Sequence, residues 1–276
     1  MTAARAIERA FATCRRERRA AFIPFLMAGD PSLAATADLL AALAAGGADV
    51  IEIGLPFSDP IADGPTNQRA AGRSLAAGTT LSGVLEMIAS LRARIGVPIV
   101  LFSYFNPLHA RGLERFAEQA AASGVDGVLC VDLPPEEGKR ELVPILDRHG
   151  IDAIFLLAPT STRERVRRAA EASSGFLYYV SRTGVTGERT ALADDLAGDI
   201  AKLRKKLPLP LAVGFGISTP EQVAAVGAVA DGVVVGSALV RFVEENAGRP
   251  DLAAALERKV RELSAPLHSG RRSGAR

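Results

Sequence analysis

The stretch ATADLLAALAAGGADVIEIGLP (residues 35–56) decides the fold, because it joins two patterns of different period. Its first part places leucine and alanine at helical spacing, and its second part is a short, nearly continuous apolar run with the length of one strand. A strand that is apolar on both faces is typical of a parallel sheet covered by helices. The stretch therefore predicts one helix and one strand of an α/β protein.

The same unit recurs along the chain. Eight apolar runs of β type, each followed by a segment of helical periodicity, occupy residues 21–29, 49–56, 98–105, 127–133, 152–159, 175–182, 210–216 and 232–239. Eight repeats predict a closed (β/α)8 TIM barrel. A doubly wound open sheet is the alternative, but AGDPS (residues 28–32) after the first run is not a GxGxxG dinucleotide turn.

We expect a single domain over residues 1–276, with a core of about 20–265 and a disordered Gly, Ser and Arg tail at 266–276. An extra helix is predicted before the first strand, because four residues share one face at helical spacing: Ile7, Ala10, Phe11 and Cys14.

Composition argues against several classes of protein. The chain has 33 basic and 31 acidic residues, but without residues 15–19 and 271–276 the remainder has an acidic excess of 4, so no nucleic-acid face is expected. Cys14 and Cys130 lack CxxC spacing and the three histidines are scattered, which argues against a disulfide framework and a metal site. With no apolar run near the roughly 20 residues of a membrane span, we expect a soluble, cytoplasmic protein.

The spacing of the strand centres indicates where function lies. Two intervals are long, 49 and 35 residues against 21–29 for the others. The additional residues, 56–80 and 181–195, follow the second and sixth strands. Because the loops after the strands of a TIM barrel carry its active site, both segments are predicted lids.

Glu52 is the first candidate for chemistry. It lies between Ile51 and Ile53, so its side chain points either into the barrel or toward the helices, and both environments are poor in water. A lone buried carboxylate takes up a proton, which is a typical route to a general acid or base. The alternative is an ion pair with a Lys or Arg at the strand end, but we favour catalysis. Asp59 before Pro and Asp63 before Gly suit plain turns equally well.

Glycines after the last two strands predict a phosphate site. VGFGIS (213–218) and VVGSAL (234–239) place Gly214, Gly216, Gly236 and Ser237 where backbone N–H groups can converge on an anion. TGVTGER (183–189) adds Gly184 and Gly187, which could close over the same group. Five aromatic residues near the same end of the barrel suit a flat apolar substrate, although core packing explains each one singly: Phe25, Phe102, Tyr104, Tyr178 and Phe215.

Six segments together resemble the tryptophan synthase alpha chain family over residues 20–240: PFLMAGDPS (24–32), IEIGLPFSDPIADGPTNQ (51–68), SYFNPL (103–108), GVDGVLCVDLPPEE (124–137), SRTGVTGER (181–189) and VGFGISTPEQV (213–223). The resemblance implies a TIM-barrel lyase that cleaves indole-3-glycerol phosphate by a retro-aldol reaction to indole and glyceraldehyde 3-phosphate, in the last step of L-tryptophan biosynthesis. It implies no cofactor in this chain and a partner beta chain that holds pyridoxal phosphate, in an alpha2beta2 heterotetramer.

The resemblance also implies site residues. The family's acid-base Glu falls on Glu52, and its indole-binding Asp falls on Asp63. The implied substrate contacts are Phe25, Phe102, Tyr104, Leu129, Leu156, Tyr178, Thr186 and Phe215; the phosphate contacts are Gly187, Gly216, Gly236 and Ser237; and the partner contacts are Pro56 and Asp59.

Three positions depart from the family pattern: Met27 stands where Thr is frequent, Phe102 where an aliphatic residue is common, and Asn67 where Ile is usual. Two alternatives stay open. A stand-alone indoleglycerol-phosphate lyase would share every site residue, and a non-catalytic barrel would bind phosphorylated ligands without turnover. Other phosphate-binding barrels share the glycines but do not account for PFSDPIADGP.

Overall fold

The computed structural model describes residues 4–180, 198, 200–204, 207–214 and 216–269. These residues contain nine strand segments: β1 (Ala21–Met27), β2 (Ile51–Gly54), β3 (Ile99–Ser103), β4 (Gly127–Cys130), β5 (Asp152–Ile154), β6 (Leu156–Leu157), β7 (Leu177–Val180), β8 (Leu211–Gly214) and β9 (Gly232–Val235). All neighbouring strands are parallel, in the order β5-β4-β3-β2-β1-β9-β8-β7-β6.

The sheet closes through the fifth of the predicted strands. That strand is divided at Phe155 into β5, which pairs with β4 as Gly127 opposite Asp152, and β6, which pairs with β7 as Leu156 opposite Tyr178. The two ends of the sheet are therefore consecutive parts of the chain. The eight predicted runs form one closed ring, and the predicted TIM barrel is confirmed.

Helices pack around the barrel and across one of its ends: α1 (Ala6–Arg16), α2 (Leu33–Ala45), α3 (Pro65–Ala76), α4 (Leu81–Leu91), α5 (Phe105–Arg111), α6 (Leu113–Ser123), α7 (Pro135–Glu141), α8 (Val143–Arg148), α9 (Arg163–Ala172), α10 (Pro220–Val229), α11 (Ser237–Glu245) and α12 (Leu252–Ser269). Several begin at a hydroxyl side chain that accepts a backbone N–H of the first turn: Ser32, Thr80, Thr162 and Thr219. These caps satisfy donors that the helix itself leaves free, so the starts of these helices are encoded locally.

Alternation along β2 decides which side chains enter the barrel. Ile51 and Ile53 belong to the core between the sheet and the helices, whereas Val50 belongs to the cluster inside the barrel. Because successive side chains of a strand point to opposite faces, Glu52 points inward with Val50.

Helix α1 closes the amino-terminal end of the barrel. Ile7, Phe11 and Cys14 are buried in the interior cluster, and the ring of Phe11 lies 5.5 Å from that of Phe176. This is the extra helix predicted from the sequence. The interior is therefore filled with apolar side chains at this end, which leaves the opposite end for a site.

The predicted boundary of the carboxy-terminal tail is wrong. Helix α12 continues through Pro266 to Ser269, because Leu263 and Leu267 are both buried in the outer core and hold its last turns against the barrel. Residues 270–276 of the predicted tail lie outside the described residues.

Within the described ranges, no single helix is long and apolar enough to cross a membrane. Helices α3 and α4 reach the length and apolar composition of a membrane span only when they are combined, and a bend of 94° separates them. The same part of the chain holds no group of three or more His, Cys, Asp or Glu side chains that could bind a metal ion. Cys14 and Cys130 are both buried free thiols.

Candidate active site

A cavity of about 270 Å³ lies at the carboxyl ends of the strands. Its wall takes side chains from β1, β2, β3, β6 and β7, and from the loops that follow strands. The long loop after β2 supplies residues 62–64, and the start of α3 supplies residues 65–67. The wall residues are Phe25, Glu52, Ala62, Asp63, Gly64, Pro65, Thr66, Asn67, Phe102, Val131, Leu156, Tyr178, Gly216, Gly236, Ser237 and Arg241.

Glu52 is the buried acid of this wall. Its side chain points into the barrel, the residue is 1% exposed, and its Oε1 atom has no hydrogen-bond partner among the described residues. None of the ion pairs in the described part of the chain involves it, so the ion-pair alternative raised by the sequence finds no support here. Burial raises the pKa of Glu52 to about 8. At neutral pH this carboxyl therefore holds a proton.

Two glycines make room for the aromatic rings beside Glu52. A Cβ atom on Gly54 would lie 2.6 Å from Cζ of Phe25, and one on Gly214 would lie 2.9 Å from Cζ of Tyr178. The rings of Phe25 and Phe102 meet edge to face at 5.5 Å. Burial, together with the nearby Glu52, raises the pKa of Tyr178 well above its usual value. Tyr178 therefore stays neutral.

Asp63 is held by Tyr104. The Tyr104 hydroxyl donates a hydrogen bond to Oδ2 of Asp63 at 3.0 Å and accepts one from the Ala62 N–H at 3.0 Å. The Asn67 amide nitrogen lies 3.5 Å from the other carboxylate oxygen, Oδ1. Burial raises the pKa of Asp63, and the bonds from Tyr104 and Asn67 offset part of that rise. Asp63 is therefore an oriented carboxyl in a half-buried setting, and not merely a turn residue.

The part of the wall formed by Gly216, Gly236 and Ser237 suits an anion. Gly236 and Ser237 stand at the start of α11, where backbone N–H groups point out of the helix, and Gly216 has a φ of +75° that favours glycine. Arg241 lies one turn further along α11 and lines the same cavity. Among the described residues it has no acidic side chain in an ion pair with it, so its charge is available to a ligand. Sequence reasoning missed Arg241, although its spacing of four from Ser237 places both on one helix face.

Some predicted site residues lie elsewhere. Leu129 is fully buried in the interior cluster and outside the cavity wall, whereas Val131, two residues on, lines it. Tyr104 also lies outside the wall and contacts Asp63 instead. The remaining predictions, Gly184, Thr186, Gly187 and Phe215, lie outside the described residues.

The predicted partner contacts differ in exposure. Pro56 is buried within the chain and Asp59 is exposed. Ile61, which was not predicted, is 86% exposed in the same loop. The loop after β2 therefore exposes both Asp59 and Ile61.

An ion network links the helices that carry the wall. The Arg73 guanidinium on α3 bonds both oxygens of Asp30, at 2.9 and 2.7 Å, and reaches Glu244 on α11 at 2.7 Å. Arg69 bonds Glu244 twice at 2.8 Å. The start of α3, with Asn67, is thereby tied to the helix that presents Ser237.

Comparison with known proteins shows the family of this chain. The family model for the tryptophan synthase alpha chain matches residues 11–268. The tryptophan synthase alpha chain of Geobacter sulfurreducens is 54% identical over 234 residues, which are 85% of this chain and 88% of that one. That of Geotalea daltonii is 50% identical over 261 residues, which are 95% of this chain and 98% of that one.

Solved structures extend the likeness to three dimensions. Tryptophan synthase subunit alpha from Legionella pneumophila superposes with a TM-score of 0.89 at 35% identity, covering 96% of this chain and 99% of its own. Tryptophan synthase from Mycobacterium tuberculosis superposes with a TM-score of 0.86 at 36% identity, covering 97% of this chain and 100% of its own. The resemblance read from the sequence motifs is confirmed: the chain belongs to the tryptophan synthase alpha chain family.

Proposed function

We propose that this chain cleaves indole-3-glycerol phosphate to indole and glyceraldehyde 3-phosphate, with Glu52 as the acid-base residue and Asp63 as the residue that binds the indole N–H. Tryptophan synthase alpha chains are lyases of L-tryptophan biosynthesis that catalyse this reaction. The observation that carries the assignment of roles is the buried Glu52, whose Oε1 atom has no hydrogen-bond partner among the described residues and whose pKa of about 8 keeps it protonated in a cavity that also contains Asp63.

The first step of a retro-aldol cleavage is protonation of the indole ring at C3. This breaks the aromaticity of the five-membered ring and places positive charge on the ring nitrogen. Neutral Glu52 supplies the proton. A group with a pKa of about 8 is mostly protonated at neutral pH, yet its carboxylate is basic enough to recover a proton within the same turnover.

Asp63 stabilises the charge formed in that step. Its carboxylate accepts the indole N–H, and this hydrogen bond strengthens as the nitrogen becomes positive, so it lowers the barrier as well as binding the substrate. Tyr104, fixed by the Ala62 N–H, orients the carboxylate through Oδ2.

The second step returns the electrons. The Glu52 carboxylate takes the proton from the hydroxyl on the carbon attached to C3, the carbon-carbon bond breaks, and its electron pair restores the aromatic indole while the hydroxyl carbon becomes the aldehyde. Glu52 ends protonated, as it began, so the cycle needs no cofactor in this chain. In this family the pyridoxal phosphate belongs to the beta chain.

The remaining wall residues provide binding. Phe25, Phe102 and Tyr178 form an apolar slot for the indole ring. The start of α11, with Gly236 and Ser237, would hold the phosphate through backbone N–H groups.

We further infer a cytoplasmic alpha2beta2 heterotetramer. Alpha chains of this family pair with a beta chain, and two buried free thiols fit a reducing compartment. The exposed Asp59 and Ile61 of the loop after β2 are the contacts we assign to that partner.

The test is release of indole from indole-3-glycerol phosphate by the purified chain. Glu52→Gln and Asp63→Asn should each lower kcat by about 100-fold or more, because each removes a group used in the transition state. Glu86→Gln, at an exposed position of α4, is the matched control and should behave as wild type. Near wild-type turnover by either site variant would remove that residue from its role.

The same assay separates the alternatives. Addition of the beta chain should raise turnover by about tenfold or more if the chain works as a subunit, as expected when a partner stabilises the closed site. High turnover by the isolated chain, unchanged by the beta chain, would favour a stand-alone lyase. Binding of substrate without indole release would favour a non-catalytic barrel.

A further inference from the structure

Asn67 is a half-buried polar residue in the cavity wall that the mechanism above does not use. It lies in the first turn of α3, four residues after Asp63, and its amide nitrogen is 3.5 Å from Oδ1 of Asp63. Its side-chain oxygen is buried and has no hydrogen-bond partner among the described residues. The reverse orientation of the amide would place two acceptor oxygens against each other, so the N–H groups belong on the Asp63 side.

An unpaired buried oxygen opposes folding, because the group has lost water and gained nothing. An apolar side chain of similar size would avoid this cost. Asn67 therefore keeps a donor on Asp63 at the expense of its own acceptor, and positions that break a packing rule in this way are characteristic of functional sites.

The two oxygens of Asp63 consequently have separate donors. Tyr104 holds Oδ2 at 3.0 Å, and Asn67 approaches Oδ1 at 3.5 Å. A carboxylate with one donor can still rotate about that bond, whereas donors on both oxygens define its plane. Both donors also favour the ionised form, the form that can stabilise a positive indole nitrogen.

We propose that Asn67 is a positioning residue, which holds the Asp63 carboxylate in plane through Oδ1 while Tyr104 holds it through Oδ2. The expected effect of Asn67 on catalysis rests on the proposed function, since Asn67 would act on the step that Asp63 assists. Its direct consequence, a change in the ionisation of Asp63, can be measured without turnover.

The other titratable groups in the wall and in contact with Asp63 do not obscure the titration of Asp63. Glu52 holds its proton up to about pH 8. Tyr104 and Tyr178 have raised pKa values and stay neutral. Among the described wall residues, Asp63 is therefore the group whose charge changes below neutral pH.

The experiment follows the carboxyl ¹³C signal of Asp63 with pH in protein labelled at aspartate, the signal being identified by its loss in Asp63→Asn. Asn67→Leu should raise the pKa of Asp63 by about half a unit to one unit, because a donor to the ionised form is lost. Asn67→Asp should raise it further, because it adds a negative charge. Asn246→Leu, which removes an amide bonded to the Phe242 carbonyl outside the cavity, is the matched control and should leave it unchanged.

Kinetics provide the second readout. In Asn67→Leu the acidic limb of the kcat profile should move to higher pH by the same amount, and kcat at pH 7.5 should fall about fivefold with KM changed less than twofold, as for loss of an interaction made in the transition state. A purely structural role would lower stability without moving the limb. If Asn67→Leu does not fold, Asn67→Ala takes its place.

An unchanged pKa of Asp63 in Asn67→Leu overturns the inference, even where wild-type indole release and its loss in Asp63→Asn uphold the proposed function. Absence of indole release by wild-type protein would instead refute the proposed function. The titration would still decide whether Asn67 acts on Asp63.

Discussion

Replacement of Glu52 by glutamine should make the protein more stable than wild type at alkaline pH. The pKa of Glu52 is about 8 in the folded protein, against about 4.5 for an ordinary glutamate. Between these values the folded state keeps a proton that the unfolded state has released, so wild-type stability falls as the pH rises from about 4.5 to about 8. Glutamine has nearly the same size and no proton to lose, so Glu52→Gln escapes this fall.

The structure sets the size of the effect. The difference between pKa values of about 8 and 4.5 is about 3.5 units, and at about 1.4 kcal/mol per unit this is an upper limit on the order of 5 kcal/mol. Because Glu52 lines a cavity, water that enters beside the carboxylate would relieve part of the penalty. We therefore expect the free energy of unfolding of Glu52→Gln, relative to that of wild type, to increase by at least about 2 kcal/mol as the pH rises from 5 to 9.

The assay is urea unfolding of both proteins at pH 5, 7 and 9, compared as the difference in free energy of unfolding. Glu86→Gln, which removes an exposed carboxyl of α4 outside the cavity, is the matched control for loss of a glutamate. Parallel pH profiles for wild type and Glu52→Gln would mean that Glu52 ionises as readily in the fold as in the unfolded chain. The argument for a protonated general acid at neutral pH would then fail.

Two further substitutions test the anion end of the cavity and the network beneath it. Arg241→Gln should raise KM for the phosphorylated substrate about tenfold and leave kcat within twofold of wild type, because the Arg241 charge contributes to binding. Arg241→Lys keeps the charge and should recover most of the lost affinity. Steady-state kinetics measure both constants with the exposed Arg258→Gln as control, and an unchanged KM in Arg241→Gln would contradict a role for Arg241 in phosphate binding. Arg73→Met should lower the free energy of unfolding by about 3 kcal/mol in urea titrations, because it leaves the carboxylate of Asp30, 4% exposed, without its bidentate partner. Arg69→Met should lower the free energy of unfolding by less than Arg73→Met does, since it leaves Asp30 paired with Arg73, and equal losses would contradict the assignment.

The spacing of the strands predicted the position of the long loop after the second strand, but not the contacts of its residues. Its position on the functional face follows from the order of elements, and residues 62–64 of that loop do enter the cavity wall. The partners of its residues do not follow from spacing. Tyr104 meets Asp63 across 41 residues of chain, and no local pattern encodes that contact.

The predicted roles of residues rested either on residue type or on resemblance to the family. The motif PFSDPIADGP singled out Asp63 by resemblance, whereas its residue type alone was equally compatible with a turn. Leu129 entered the predicted slot by the same resemblance, yet it lies in the interior cluster, because a shift of two residues along an inward-facing strand moves a side chain from the interior to the cavity at Val131.

The sequence by itself determined the barrel, the helix starts and the end of the barrel that carries chemistry, because apolar periodicity, caps and spacing act between residues close in the chain. Only the tertiary structure decided that Glu52 faces inward and forms no ion pair with another described residue, that Asn67 and Arg241 share its cavity, and that the last helix continues to Ser269. Closure of the ring brings distant segments together, and burial and pairing of a polar group depend on those neighbours.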